Sequence, residues 1–216
     1  MKKLMILLGA VLMLTSCEQD PDFDKMDANL AVYTDHDKDV DLTKMKTYYL
    51  PDSILEAGGH KATYWNDENS KAIVDKVAAN MDKRGYERIT DPNKKDEADL
   101  GLQLTYVAKN TQVVTTGGFG GWWDYGFWGP WWGGWYYPYP VSYSYDTNSL
   151  IIEMVGLDEK NGQTGTKDSS SLPVVWYASA SGFDYGGRYN QRLLESAVNQ
   201  AFMQSQSYMR SLINEK

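Results

Sequence analysis

The chain has 216 residues, of which 42% are hydrophobic, with 21 Lys and Arg against 29 Asp and Glu and a net charge of −8. An acidic chain with no basic stripe is a poor match for nucleic acid, whose phosphates demand Lys and Arg, so no nucleic-acid partner is expected. The single cysteine excludes a disulfide framework and a thiolate metal cluster.

Met1-Lys2-Lys3 and the apolar run Leu4 to Leu14 form a short basic-then-apolar leader, too short to span a bilayer as a permanent helix (~20 residues are needed). The run ends in Leu14-Thr15-Ser16-Cys17, which resembles the bacterial lipobox. That resemblance implies a signal peptide over 1–16, cleavage before Cys17, and acylation at Cys17. Acyl chains anchor firmly, since each buried methylene contributes about 0.8 kcal/mol. Losing Lys2 and Lys3 takes the net charge to −10, so attachment to a membrane must come from lipid rather than from charge. Residues 17–28, which include Glu18 to Asp27 (EQDPDFDKMD), lack apolar periodicity and read as an acidic tether. Acidic residues directly behind such a cysteine resemble the surface-export signals of Bacteroidetes lipoproteins. The expected location is therefore the outer membrane, on its periplasmic face or at the cell surface.

Residues 29–215 are expected to form one domain. Leu30 to Thr34 and Lys46 to Leu50 read as strands, the second stopped by Pro51. Between them Asp35, Asp37, Asp39 and Asp41 alternate, as in a calcium loop. The EF-hand spacing fails at Val40 and Lys46, which leaves a solvated polar turn. Ile73, Val74, Val77, Ala78 and Met81 share one helical face within Asp67 to Arg84, with Asn66 or Asp67 as cap and Gly85 as terminator. Tyr86 to Ile89 is a short strand. From Ala98 to Val114 apolar and polar residues alternate, which predicts a long strand on a sheet covered on one face.

Gly117 to Tyr145 holds six of the eight tryptophans, six tyrosines, eight glycines and three prolines, with no helical or two-residue period. Glycine and proline at this density discourage regular structure, whereas the aromatic content opposes disorder. Leu150 to Val155 and Pro173 to Ala180 read as two strands joined by a polar connection, Asp158 to Ser171. Asn190 to Asn214 predicts a closing helix with Leu194, Val198, Ala201, Phe202, Tyr208, Met209 and Leu212 on its buried side. The pattern predicts an α+β fold: two layers, a mostly antiparallel sheet of about six strands, and two helices on one face.

Several short motifs occur in order along the chain: Lys46-Thr47-Tyr48, Arg84-Gly85-Tyr86, Glu97-Ala98-Asp99-Leu100, the glycine-aromatic insertion, Leu150-Ile151-Ile152-Glu153, Val174-Val175-Trp176 and Ala201-Phe202-Met203-Gln204-Ser205. Together they resemble the bacterial lipoproteins grouped as domain of unknown function 4136, in their Bacteroidetes form. The resemblance covers nearly all of the chain after Cys17. It implies fold and location and carries no catalytic residues.

No nucleophile elbow, Walker or zinc-protease pattern occurs, and His36 and His60 both fall in polar loops. Gly117 to Gly121 follows a strand as a phosphate loop does, but Trp122 and Trp123 come next and no helix opens. Paired carboxylates abound among 29 acids, and nothing selects one pair. The chain is therefore expected to be a non-catalytic envelope lipoprotein without a cofactor, an undetected envelope hydrolase being the remaining enzymatic alternative. The candidate binding residues are Trp122, Trp123, Trp128, Trp131, Trp132, Trp135, Tyr136 and Tyr137. Their rings suit stacking on glycan or peptidoglycan sugars, or lying at the membrane interface. Alternatively they fold back on the open sheet face as a second core, with no ligand.

Overall fold

The computed structural model describes residues 31–57, 63–107, 128, 135–139, 149–157, 172–181 and 191–213. Among these the element order is β1 (Ala31–His36), β2 (Thr47–Tyr49), β3 (Ile54–Ala57), β4 (Thr63–Trp65), α1 (Glu68–Asp82), β5 (Glu87–Ile89), β6 (Leu100–Val107), β7 (Trp135–Tyr136), β8 (Ser149–Gly156), β9 (Leu172–Ser181) and α2 (Gln191–Gln204). The α+β class is as expected, but the strands number nine rather than about six. β3, β4 and β7 are the additions. Each has four residues or fewer, too short for alternation to show in the sequence.

The sheet runs β1-β9-β8-β6-β2-β5. Its centre is antiparallel: β6 with β8 from Leu100↔Gly156 to Val107↔Ser149, β8 with β9, and β9 with β1. Beyond β6 the pairing turns parallel. β2 lies along the start of β6 and β3 along its end, and β5 adds parallel to β2. A bulge between Met154 and Val155 sets Val174 against Val155 and Trp176 against Met154, so Val175 is the extra residue. Consequently Val175 and Trp176 both join the helix-side core, while Val174 and Tyr177 face the other way.

Helix α1 starts where expected. The Asp67 carboxylate accepts from Asn69 N and Ser70 N, both at 2.9 Å, and from Trp65 Nε1 at 2.6 Å. The chain turns after the helix at Gly85, whose φ of +73° only glycine adopts without strain. Ile73, Val74, Val77 and Met81 of α1 and Leu194, Val198, Ala201 and Phe202 of α2 pack on Leu100, Leu102, Leu104, Tyr106, Ile152 and Trp176. Each valine, leucine, isoleucine, methionine or phenylalanine among them contributes roughly 1.5–3 kcal/mol through burial. Both helices thus cover one sheet face, as the periodicity requires.

Helix α2 stops at Gln204 instead of continuing towards Asn214. Ser205 is buried and accepts from Trp176 Nε1 at 2.9 Å while donating to Ala201 O at 2.7 Å, so the chain turns there over the sheet. Tyr208 and Met209 still pack on the core, but Leu212 is 50% exposed.

Candidate functional site

The sheet's second face, away from the helices, is not open. Every residue of β6 and β8 is buried, including the small and polar ones expected to face water. The cover comes from the aromatic segment. Trp128 and Trp135 are each 1% exposed and Tyr137 is 7% exposed, packed with Tyr49, Val107, Ile151, Val155, Val174 and Tyr177. β7 fixes the segment by parallel pairing of Trp135 and Tyr136 with Leu172 and Pro173. The rings meet at angles: Trp128 and Trp135 at 5.5 Å and 59°, Tyr137 and Tyr177 at 5.9 Å and 71°. Gly101 permits the close approach, since a Cβ there would lie 2.8 Å from Trp128 Cη2.

A polar row crosses this face beneath the rings. Gln103 of β6, Glu153 of β8 and Tyr177 of β9 are direct cross-strand neighbours. Trp128 Nε1 donates to Gln103 Oε1 at 3.1 Å, and Gln103 Nε2 donates to Thr105 Oγ1 at 3.2 Å. Glu153, 1% exposed, is the one buried acid among the described residues. The Tyr137 hydroxyl donates a short hydrogen bond to its Oε1, whereas Oε2 has no partner among the described residues. Burial pushes this carboxyl up to about 7, and the Tyr137 bond opposes the rise only in part.

Of the eight aromatic candidates, Trp128, Trp135 and Tyr137 therefore turn inward, and Tyr136 is half-buried. Inward rings offer no face to a sugar or to headgroups. Trp122, Trp123, Trp131 and Trp132 lie outside the described residues, as do Cys17, His60 and the Asp158 to Ser171 connection. The aspartates at the end of β1 and just beyond it serve the backbone. Asp35 accepts from His36 N at 2.8 Å, Asp37 from Asp39 N at 2.9 Å, and Asp41 from Thr43 N at 3.1 Å. His36 stacks on Tyr208 with centroids 3.7 Å apart. Glu153 itself escaped the sequence reading as a site residue. Its signal was a lone acid inside Leu150-Ile151-Ile152-Glu153-Met154-Val155.

No curated protein matches this chain. Among solved structures it is similar to a DUF4136 family protein from Bacteroides thetaiotaomicron, with 36% identity and a TM-score of 0.67 over 85% of this chain and 99% of that one. More remote are a PelC dodecamer from Paraburkholderia phytofirmans, at 13% identity and a TM-score of 0.37 over 84% of this chain and 99% of that one, and a PDZ domain protein from Parabacteroides distasonis, at 12% and 0.36 over 87% and 38%. Likeness at that level carries no functional argument. The family model for DUF4136, a domain of unknown function, matches residues 32–205, and on that match and the Bacteroides thetaiotaomicron structure the chain belongs to this family.

Proposed function

We propose that this chain is a lipid-anchored protein of the bacterial cell envelope, held at the outer membrane through acyl groups on Cys17, with a non-catalytic structural or binding role. The observation that carries the reading is Leu14-Thr15-Ser16-Cys17 behind a basic and apolar leader, with the chain's single cysteine at the modification point. Residues 17–28, acidic and without apolar periodicity, are the tether between that anchor and the domain in this reading. A structural role draws support from the aromatic segment, whose described rings are spent on covering the sheet.

The test is metabolic labelling with an alkyne fatty acid, followed by fractionation. Label on the wild-type protein, none on Cys17→Ser, and recovery with outer membranes are the expected results. An unacylated wild-type protein, or one recovered from the cytoplasm, would overturn the proposal.

A further inference from the structure

Glu153 stands in the middle of a sheet face that is otherwise apolar or neutral, flanked along β8 by Ile151 and Val155. Gln103 faces it from β6 and Tyr177 from β9. From the aromatic segment come Tyr137, which donates to it, and Tyr139, whose ring meets Tyr137 edge-on at 6.0 Å. The Tyr139 hydroxyl is also buried without a hydrogen-bond partner among the described residues. No Lys, Arg or His of the described residues acts on the Glu153 carboxyl. The one donor to it therefore belongs to the covering segment rather than to the sheet.

That arrangement treats the two states of the carboxyl differently. A neutral carboxyl loses little by being sealed under rings, whereas an ionised one without a counter-ion strongly favours access to water. Water can reach it only if the cover moves. We infer that Glu153 is a proton-operated latch beneath this cover: the segment Trp135 to Tyr139 lies on the sheet while Glu153 is protonated and lifts when Glu153 ionises. The cost of a desolvated carboxylate outweighs the stronger bond that Tyr137 then gives it. Lifting uncovers the apolar surface around Ile151, Val155 and Tyr177. Because burial pushes the carboxyl up to about 7, the latch works near neutrality.

The experiment is amide hydrogen exchange on the full chain at pH 5.5 and 8.5, corrected for intrinsic rates, with the β6 and β8 amides as internal reference. The wild type is expected to lose at least tenfold protection over Trp135 to Tyr139 at the higher pH. Glu153→Gln, which keeps the shape and cannot ionise, is expected to change less than twofold. Protection independent of pH in the wild type, or an equal loss in Glu153→Gln, would overturn the latch. If Glu153→Gln does not fold, carbon-13 detection of the wild-type carboxyl decides: titration between pH 6 and 8 together with the exchange change upholds the latch, and titration below pH 5 sinks it.

Discussion

Thr47 and Asp99 exchange hydrogen bonds across the parallel junction of β2 and β6. The Asp99 carboxylate accepts from Lys46 N at 2.6 Å and from Thr47 N at 2.9 Å, while Thr47 Oγ1 accepts from Asp99 N at 3.0 Å. Two motifs far apart in the chain, Lys46-Thr47-Tyr48 and Ala98-Asp99-Leu100, are thus one structural unit. Parallel strands have no hairpin to set their register, so this clasp sets it. The neighbouring Tyr48 then reaches Asp82 at the end of α1, its hydroxyl 2.9 Å from the carboxylate.

Asp99→Ala removes the acceptor for two backbone N–H groups at once. The expected cost is about 2 kcal/mol, read as a lower urea midpoint. Asp99→Asn keeps one acceptor oxygen and should recover part of it. Thr47→Val, which loses only the hydroxyl, should cost about 1 kcal/mol. A double variant no worse than Asp99→Ala would show that the two residues act as one unit.

Arg84 ties the ends of both helices together. Its guanidinium donates to Asn80 O at 2.9 Å and to Phe202 O at 2.8 Å, and it lies 5.2 Å from the centre of the Phe202 ring. Positive charge at the C-terminal ends of α1 and α2 suits both helix dipoles, which offsets the desolvation of a side chain only 3% exposed. Burial still pulls its proton affinity down from the ordinary arginine value. Arg84→Met is expected to cost about 3 kcal/mol in urea unfolding. Arg84→Lys should restore little, because the compact ammonium lacks the planar fork whose two nitrogens reach the two carbonyls while its face covers the ring.

Gly101 and Trp128 test whether the aromatic segment is core. A Cβ on Gly101 would meet Trp128 Cη2 at 2.8 Å and Val155 Cγ2 at 3.1 Å. Gly101→Ala is therefore expected to cost about 1–3 kcal/mol and to shift the near-ultraviolet signal of the tryptophans. Trp128→Ala leaves a cavity over β6 and removes the indole donor to Gln103 Oε1, for an expected loss of about 3–5 kcal/mol. A change below about 0.5 kcal/mol in both variants would show that the segment is a detachable loop.

The sequence made α1 legible because its apolar spacing, Asp67 cap and Gly85 stop agree, and the helix is set mostly by local interactions. Strand β6 was half legible. Leu100, Leu102, Leu104 and Tyr106 announce a buried face, but Gly101, Gln103 and Thr105 look like a solvated one. They are buried because a distant segment without any period lies on them, and no local pattern encodes that. The end of α2 was likewise set from outside, by Trp176 reaching Ser205. Glu153 was visible as a lone acid in an apolar strand. What it meets depended on where Tyr137 lands, and only the fold brings those two residues together.

The same carboxyl gives global stability a sign. Folded, Glu153 holds its proton up to about 7; the ordinary value is 4.5. Between those values the folded state binds more protons than the unfolded chain, so its stability falls as pH rises. The contribution is intact below about pH 4.5 and lost above about pH 7, a swing of about 3 kcal/mol. Urea unfolding across pH 5 to 8 should show this decline on top of whatever the exposed carboxylates add. In Glu153→Gln the decline should vanish, and above pH 7 the variant should be more stable than the wild type, an unusual result for a substitution in the middle of a buried strand. A wild-type midpoint that rises from pH 5 to 8, with Glu153→Gln rising in parallel, would mean that Glu153 is already ionised in the folded protein.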